Sequence, residues 1–131
     1  MPPSTVLVVD DDPVILKLLE VNFEMEGFTV LLAHDGEEGV ALTRSERPDI
    51  VVSDVMMPKM SGLELVEELK SDPDTSSIPI ILLTAKAQMA DLRAGVDAGA
   101  DDYITKPFEP LELVHRVNRL IEPKAPRTSR P

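Results

Sequence analysis

Short apolar runs alternate with helical patterns along this chain, and this alternation constrains its fold more than any other feature. We predict strands over residues 5–9, 28–33, 50–53, 78–84 and 102–105. Continuous apolar runs of this length, without polar alternation, are typical of strands that are buried on both faces. Strands that alternate with helices predict a parallel sheet with helices on both of its faces.

Capping and turn residues place the helices between these strands. The first begins at Asp12 and Pro13 and ends at Gly27, which are residues favoured at those helix positions. Its apolar positions are Val14, Ile15, Leu18, Leu19 and Phe23. We predict the other helices over residues 36–46, 61–69, 88–98 and 113–121. The helix over 88–98 has an Ala-rich face with little to bury, so it should be among the least firmly docked.

Right-handed crossovers leave few orders for such strands. The best match is a flavodoxin-like (βα)5 doubly wound sheet, an α/β fold with the strand order 2-1-3-4-5. Strands 1, 3 and 4 are then central, and strand 5 lies at an edge. The carboxyl ends of strands 1, 3, 4 and 5 meet along one rim, where open α/β sheets bind their ligands.

Residues suited to phosphoryl transfer stand at these four strand ends: Asp10 and Asp11, Asp54, Thr84, and Lys106. Each alone has an ordinary explanation, as a helix cap, a loop residue, a strand-end hydroxyl or a surface charge. Their convergence on one rim favours a shared site.

Three carboxylates in one pocket favour a bound cation. Two like charges about 4 Å apart repel by about 4 kcal/mol at an effective dielectric constant near 20. Oxygen ligands without Cys or His predict a hard ion, Mg²⁺ or Mn²⁺. A carboxylate can attack phosphorus to form an aspartyl phosphate. Lys106 can then neutralise the phosphoryl oxygens, and Thr84 can hydrogen-bond to one of them.

The amino-acid composition limits the kinds of site and partner that this chain can have. The chain has no Cys, which excludes disulfides and thiolate metal sites. It shows no signal peptide, and no apolar run approaches the roughly 20 residues of a membrane span, so we expect a cytoplasmic protein without membrane contact. Its net charge of −11 argues against direct nucleic-acid binding by this domain. We expect a folded domain over residues 1–122 and a Pro-rich basic tail or linker, disordered, over 123–131.

Several motifs resemble those of bacterial response-regulator receiver domains, the phosphoacceptor half of two-component systems. The similar segments span residues 5–121. They are Val8-Val9-Asp10-Asp11, Asp54 with Met57-Pro58 and Gly62, Leu83-Thr84-Ala85, and Gly99-Ala100-Asp101-Asp102-Tyr103-Ile104-Thr105-Lys106-Pro107-Phe108. The resemblance implies a signalling phosphoacceptor rather than an enzyme, although such a domain catalyses its own phosphorylation and dephosphorylation.

The resemblance also implies individual roles at the acidic site. Asp54 would be the phosphoacceptor. Asp11 and Asp54 would bind Mg²⁺ directly, together with the backbone carbonyl of Met56, and Asp10 would act through water. The phosphoryl donor would be a histidine kinase or a phosphotransfer protein, and the downstream effector is unknown.

A second set of implied roles concerns the response to phosphorylation. Thr84 and Lys106 would contact the phosphoryl group. Tyr103 would be a switch that turns inward when Thr84 moves toward that group. The change would appear on the surface formed by the helix over 88–98, the fifth strand and the last helix. Phosphorylation adds about −1.5 to −2 charges and new acceptor oxygens, which is what would bias such a switch.

Three alternatives stay open at this point. A haloacid-dehalogenase-type phosphatase would use Asp10 as nucleophile with Asp12, but Asp12 leads directly into Pro13, and little chain remains for a cap domain. A flavin-binding module would place a phosphate against three acids, which would repel it. A phosphorylation-independent interaction scaffold would not require the acidic site.

Dimerisation on phosphorylation is also left open. The resemblance implies that a dimer through the last two helices of the domain would use paired charges. Asp101, Glu112 and Arg116 suit that pattern, whereas Leu92 stands where the resemblance implies a basic residue.

Overall fold

A computed structural model describes residues 4–85 and 99–121. The strands are β1 (Thr5–Val9), β2 (Thr29–Ala33), β3 (Ile50–Asp54), β4 (Ile80–Ala85) and β5 (Asp102–Lys106). The helices are α1 (Pro13–Met25), α2 (Gly36–Glu46), α3 (Gly62–Lys70) and α4 (Pro110–Ile121). The helix predicted over 88–98, with Leu92, and the tail predicted over 123–131 lie outside the described residues.

The strands form one parallel sheet in the order β2-β1-β3-β4-β5. This order confirms the predicted flavodoxin-like fold. Strands β1, β3 and β4 are interior, and every residue of β3 is buried. Strand β5 lies at an edge and pairs only with β4 within the described part of the chain.

Two apolar layers cover the two faces of the sheet. Successive strand residues point to opposite faces, so Val6 and Val8 of β1 belong to one layer, and Leu7 and Val9 belong to the other. The first layer packs against α1 and α4, and the second packs against α2 and α3. Burial on both faces is why these strands appear in the sequence as continuous apolar runs.

Side-chain caps begin three of the helices. Asp12 accepts a hydrogen bond from the Val14 backbone N–H at 2.9 Å, which confirms the predicted start of α1. Asp35 caps α2 through the Glu38 N–H at 2.8 Å. Ser61 caps α3 in a reciprocal capping box with Glu64. We did not predict this box, although its Ser-x-x-Glu spacing is visible in the sequence.

Several strand ends differ from the prediction by one or two residues. β2 begins at Thr29 because Phe28 turns inward and packs edge-on against Phe23, with ring centroids 5.2 Å apart. β4 begins at Ile80 rather than residue 78, and its preceding Pro has no N–H to donate. β3 and β5 each extend one residue further, to Asp54 and Lys106. Among the described residues, no helix is both long and apolar enough to cross a membrane.

Candidate functional site

An acidic cluster lies at the carboxyl ends of two adjacent interior strands. Val9 of β1 pairs with Ser53 of β3, so the residues that follow them, Asp10 and Asp54, lie side by side. Asp11 completes the cluster. One carboxylate oxygen from each of these three acids lies within 4.8 Å of the other two. The predicted convergence of these acids is confirmed.

The three acids differ in exposure. Asp10 is only 1% exposed, and Asp54 is 7% exposed. Asp10 is held by its N–H, which donates to the Ala33 carbonyl at 3.1 Å, and by its Oδ1, which accepts from the Asp12 N–H at 2.9 Å. Asp11 is exposed. Two carboxylates therefore form the floor of the site, and one lies at its mouth.

Lys106 brings a positive charge to both buried acids. Its Nζ lies 3.0 Å from Oδ1 of Asp54 and 3.3 Å from Oδ2 of Asp10. It is the last residue of β5, where it pairs with Ala85 of β4. The strand end therefore places the ammonium group over the cluster, as predicted.

Burial and neighbouring charges shift the pKa values of Asp10, Asp54 and Lys106. Burial raises the pKa of Asp10 and of Asp54 above the ordinary carboxyl value, and neighbouring acids add to the effect. Burial alone would lower the pKa of Lys106, but its hydrogen bond to Asp54 and the charges of Asp10 and Asp54 outweigh it and raise that pKa. Lys106 is therefore charged at neutral pH, and it offsets only one of the carboxylate charges.

The donor set fits a divalent cation. The cluster offers three carboxylate oxygens close together, with no Cys in the chain. Oxygen-only ligation favours hard ions such as Mg²⁺, which is commonly held by one or two carboxylates. Within residues 4–85 and 99–121, Lys106 brings one positive charge to this cluster of three carboxylates. The cluster can therefore hold a metal ion.

Thr84 and Met56 are also predicted to belong to this site. Thr84 is 1% exposed, and its hydroxyl donates a long hydrogen bond of 3.4 Å to the Ala85 carbonyl. It follows Leu83, the β4 residue that pairs with Asp54. The Met56 side chain is 61% exposed. The predicted metal contact through the Met56 carbonyl stays a prediction.

Tyr103 of β5 lies with its ring against the apolar layer beneath α2 and α3. Its hydroxyl is buried and has no hydrogen-bond partner among residues 4–85 and 99–121. Burial raises the pKa of this hydroxyl above its usual value.

Comparison with known proteins identifies the family. The family described as "Response regulator receiver domain" matches residues 6–118. The chain belongs to this family. It is therefore a receiver domain of two-component signalling, and the match supports neither the phosphatase nor the flavin-binding alternative.

Relatives with curated names are response regulators. The receiver domain is 45% identical over 119 residues to the "Probable transcriptional regulatory protein TcrX" of Mycobacterium tuberculosis, covering 91% of this chain and 50% of that protein. It is 43% identical to the "DNA-binding dual master transcriptional regulator RpaA" of Synechocystis, covering 88% of this chain and 48% of the relative. The chain thus spans about half the length of these relatives.

Solved structures agree with this assignment. A putative response regulator from Chloroflexus aurantiacus superposes with a TM-score of 0.86 at 38% identity, covering 92% of this chain and 99% of the other. The receiver domain of the sensor histidine kinase PA1611 from Pseudomonas aeruginosa has a TM-score of 0.84 at 30% identity, with 92% and 99% covered. That structure has a magnesium ion coordinated in its active site cleft.

The sequence did not reveal how the loop after Asp54 is fixed. Gly62 donates its N–H to the Val55 carbonyl at 2.8 Å. A Cβ added at Gly62 would collide with the Asp54 carbonyl oxygen. Lys59 contacts Asp35 at 3.7 Å and so joins this loop to the start of α2. The sequence shows Gly62 only as part of a motif, and the structure shows that its role is a close backbone approach.

Gly62→Ala should therefore destabilise the receiver domain by about 1–2 kcal/mol, as expected for an overpacked site. The added methyl group meets backbone atoms of Asp54 and Val55, which cannot move aside as a side chain can. Chemical unfolding monitored by circular dichroism measures the change. Gly27→Ala is a poor control because Gly27 has a φ of +92°, so Ser77→Ala in the exposed loop before β4 serves instead. Equal stability of both variants would contradict the close approach.

The charged residues proposed for a dimer are paired within the chain. Arg116 binds Asp102 at 2.8 Å and Glu112 at 3.1 Å. Asp101 binds Lys70 at 3.1 Å. A dimer that used these charges would have to compete with their internal partners. Dimerisation therefore stays a prediction.

Proposed function

We propose that this receiver domain accepts a phosphoryl group on Asp54 from a histidine kinase or a phosphotransfer protein. The observation that carries the proposal is the position of Asp54. It is the buried strand-end carboxylate whose Oδ1 lies 3.0 Å from the Lys106 ammonium and within the acidic cluster. Asp10 shares that ammonium but is almost fully buried, and Asp11 has no such cation partner among the described residues.

In the proposed reaction an oxygen of Asp54 attacks the phosphorus atom, and the bond from phosphorus to the donor histidine nitrogen breaks. The nitrogen keeps the electron pair of that bond. Lys106 screens charge on the phosphoryl oxygens, and Asp10 holds the Lys106 ammonium in place from the other side. Mg²⁺, or Mn²⁺, would be held by Asp11, Asp54 and the Met56 carbonyl, with Asp10 acting through water, and would supply further positive charge.

The same residues support a switch. After phosphorylation, Thr84 and Lys106 gain a new anionic partner. Movement of the Thr84 hydroxyl would leave space toward which Tyr103 could turn. The surface that responds would include β5 and α4, together with the segment predicted as a helix over 88–98. Self-dephosphorylation by water is part of this proposal.

Exposed apolar side chains on α1, the helix that begins beside the acidic site, support a protein partner. Val14 is 72% exposed and Met25 is 77% exposed. With Leu18 and Val21 they form a stripe along the helix. Leu18 of this stripe also lines an apolar cleft of about 370 Å³. The other residues that line the cleft are Ile15, Lys106, Pro107 and Phe108. A phosphoryl donor must approach the edge of the sheet that carries the acidic site to reach Asp54. A helical segment of such a partner would cover the stripe.

The output of the whole protein is a further part of the proposal. The curated relatives are named as transcriptional regulators, and the chain spans about half of their length. We therefore propose a folded domain over 1–122 followed by a Pro-rich basic tail or linker over 123–131, with the effector unknown. The net charge of −11 concerns these 131 residues alone, and we expect them not to bind DNA by themselves. A cytoplasmic location completes the proposal.

Intact-mass measurement tests the proposed phosphoryl transfer. The purified domain is incubated with acetyl phosphate and Mg²⁺, and a single phosphate adduct should accumulate. Hydrolysis of p-nitrophenyl phosphate is followed in parallel. Sustained turnover of that ester without any adduct would contradict the proposal and favour a phosphatase.

Asp11→Asn should weaken Mg²⁺ binding by about tenfold or more, since even outer-shell partners of a metal contribute that much. The matched control is Asp12→Asn, which removes one neighbouring negative charge but keeps a side chain that can cap α1. Calorimetric titration of Mg²⁺ measures both. In chelator, Asp11→Asn should be no less stable than wild type because it relieves like-charge repulsion. Equal Mg²⁺ affinity in the two variants would remove Asp11 from the ligand set.

A further inference from the structure

At the end of the sheet opposite the acidic site, the ammonium group of Lys70 joins three segments. Its Nζ donates to the carbonyl oxygens of Ser76 at 3.2 Å and Ile78 at 2.8 Å. It also lies 3.1 Å from Oδ2 of Asp101. An ammonium group has three N–H donors, so every donor has a partner. The Lys70 side chain is 20% exposed. Its hydrogen bond to the Ile78 carbonyl is part-buried, whereas those to the Ser76 carbonyl and to Asp101 are exposed.

Asp101 extends this arrangement to the first residue of β4. Its Oδ2 also accepts the Ile80 N–H at 2.8 Å, and its own N–H donates to the Ile80 carbonyl at 2.8 Å. The next residues, Ile81 and Asp102, form the first pair of the β4–β5 register. Lys70 and Asp101 therefore fix the point from which this register begins.

The register of β5 decides where Lys106 lies. β5 is an edge strand, and β4 is its only strand neighbour in the described part of the chain. A shift of one residue in pairing would turn each side chain of β5 to the opposite face. The observed register pairs Lys106 with Ala85 and places Nζ 3.0 Å from Asp54.

We infer that Lys70 is a positioning residue for the phosphoryl transfer: with Asp101 it locks β5 to β4 and so holds Lys106 against Asp54. The inference rests on the proposed function of Asp54 and Lys106. Exposed ion pairs contribute little to the free energy of unfolding. Here, however, the Asp101 carboxylate also accepts a backbone N–H, and the Lys70 ammonium donates to two backbone carbonyls. Lys70 thereby acts on the site from the far end of the strand.

The test replaces Lys70 by Met, which keeps an unbranched stem beside Gly99 and removes the three donors. We expect the rate of phosphorylation by acetyl phosphate to fall about tenfold, since small misplacements of a reacting group cost up to about a hundredfold. We also expect the NMR signals of the Lys106 and Tyr103 amides to shift in the folded protein. Lys70→Arg should restore both, because a guanidinium group can donate to the same carbonyls and carboxylate.

Lys17→Met is the matched control, because Lys17 is 75% exposed and has one ion pair, with Glu20 at 3.6 Å. If Lys70→Met does not fold, Asp101→Asn replaces it: it removes the charge that Lys70 contacts but keeps an acceptor for Ile80. The inference would be overturned if folded Lys70→Met, or Asp101→Asn in its place, kept wild-type Lys106 signals and a phosphorylation rate within about twofold of that of Lys17→Met. If wild type itself takes no phosphate, the proposed function fails, while the NMR comparison still decides whether Lys70 positions Lys106.

Discussion

Asp54→Asn should abolish the phosphate adduct that the wild-type domain forms with acetyl phosphate and Mg²⁺. An amide cannot act as the nucleophile that a carboxylate provides. The buried position and the Lys106 contact at 3.0 Å can be retained by the amide oxygen, so the variant should fold. We expect the rate of adduct formation to fall at least about a hundredfold, which corresponds to about 2.7 kcal/mol of activation free energy. Intact-mass spectrometry over time measures it.

A matched control separates the loss of the nucleophile from the loss of one negative charge. Asp74 is exposed, and Asp74→Asn changes the net charge of the domain by the same amount. This control should form the adduct at the wild-type rate. A complete adduct in Asp54→Asn would show that another carboxylate is phosphorylated. Asp10→Asn and Asp11→Asn would then be measured in the same way to find it.

The acidic site could be predicted because parallel topology converts sequence positions into spatial ones. Asp10, Asp54 and Lys106 each stand at the carboxyl end of a strand, and in a parallel sheet those ends share one edge. Residue types and strand positions were therefore enough to bring them together. Which of two adjacent acids is buried was not predictable in this way. Asp10 is buried and Asp11 is exposed because successive residues leave the strand on different sides.

The face of α1 that packs against the sheet could not be predicted from its apolar spacing. This helix is apolar on more than one side, so its pattern does not single out one buried stripe. The structure buries Leu16, Leu19 and Phe23, whereas Val14 and Leu18 are substantially exposed. Which of these apolar side chains stay exposed depends on how the helix packs on the sheet, and the sequence pattern does not contain that information.

Hydrogen bonds between distant residues were equally hidden in the sequence. The contact between Lys70 and Asp101 joins residues 31 positions apart, and neither residue shows a local pattern. The Ser61 capping box is different, because its two members lie three residues apart and match a known spacing. The spacing of a capping box can therefore be recognised in a sequence, whereas the pairing of Lys70 with Asp101, away from the strand ends that share the acidic site, cannot.

Lys106→Met should slow adduct formation by about a hundredfold, the usual cost of removing one group that stabilises charge in a transition state. It should also destabilise the fold in chelator by about 2 kcal/mol. That figure lies below the roughly 3–5 kcal/mol for breaking a fully buried ion pair, because the Lys106 side chain is 28% exposed. The cause is the same in both cases: Asp10 and Asp54 lose the cation that they share.

Measurements with Mg²⁺ distinguish the loss of the cation shared by Asp10 and Asp54 from a simple loss of packing. A divalent ion at the acidic cluster would replace the missing charge, so Mg²⁺ should stabilise Lys106→Met more than it stabilises wild type. The control is Lys59→Met, since Lys59 is 62% exposed and lies 3.7 Å from Asp35. An exposed pair of this kind contributes at most about 1 kcal/mol, and its loss should not depend on Mg²⁺. Urea unfolding of the three proteins, in chelator and in Mg²⁺, measures the difference. If Lys106→Met and Lys59→Met lost the same stability and gained equally from Mg²⁺, Lys106 would not be the counter-ion of Asp10 and Asp54.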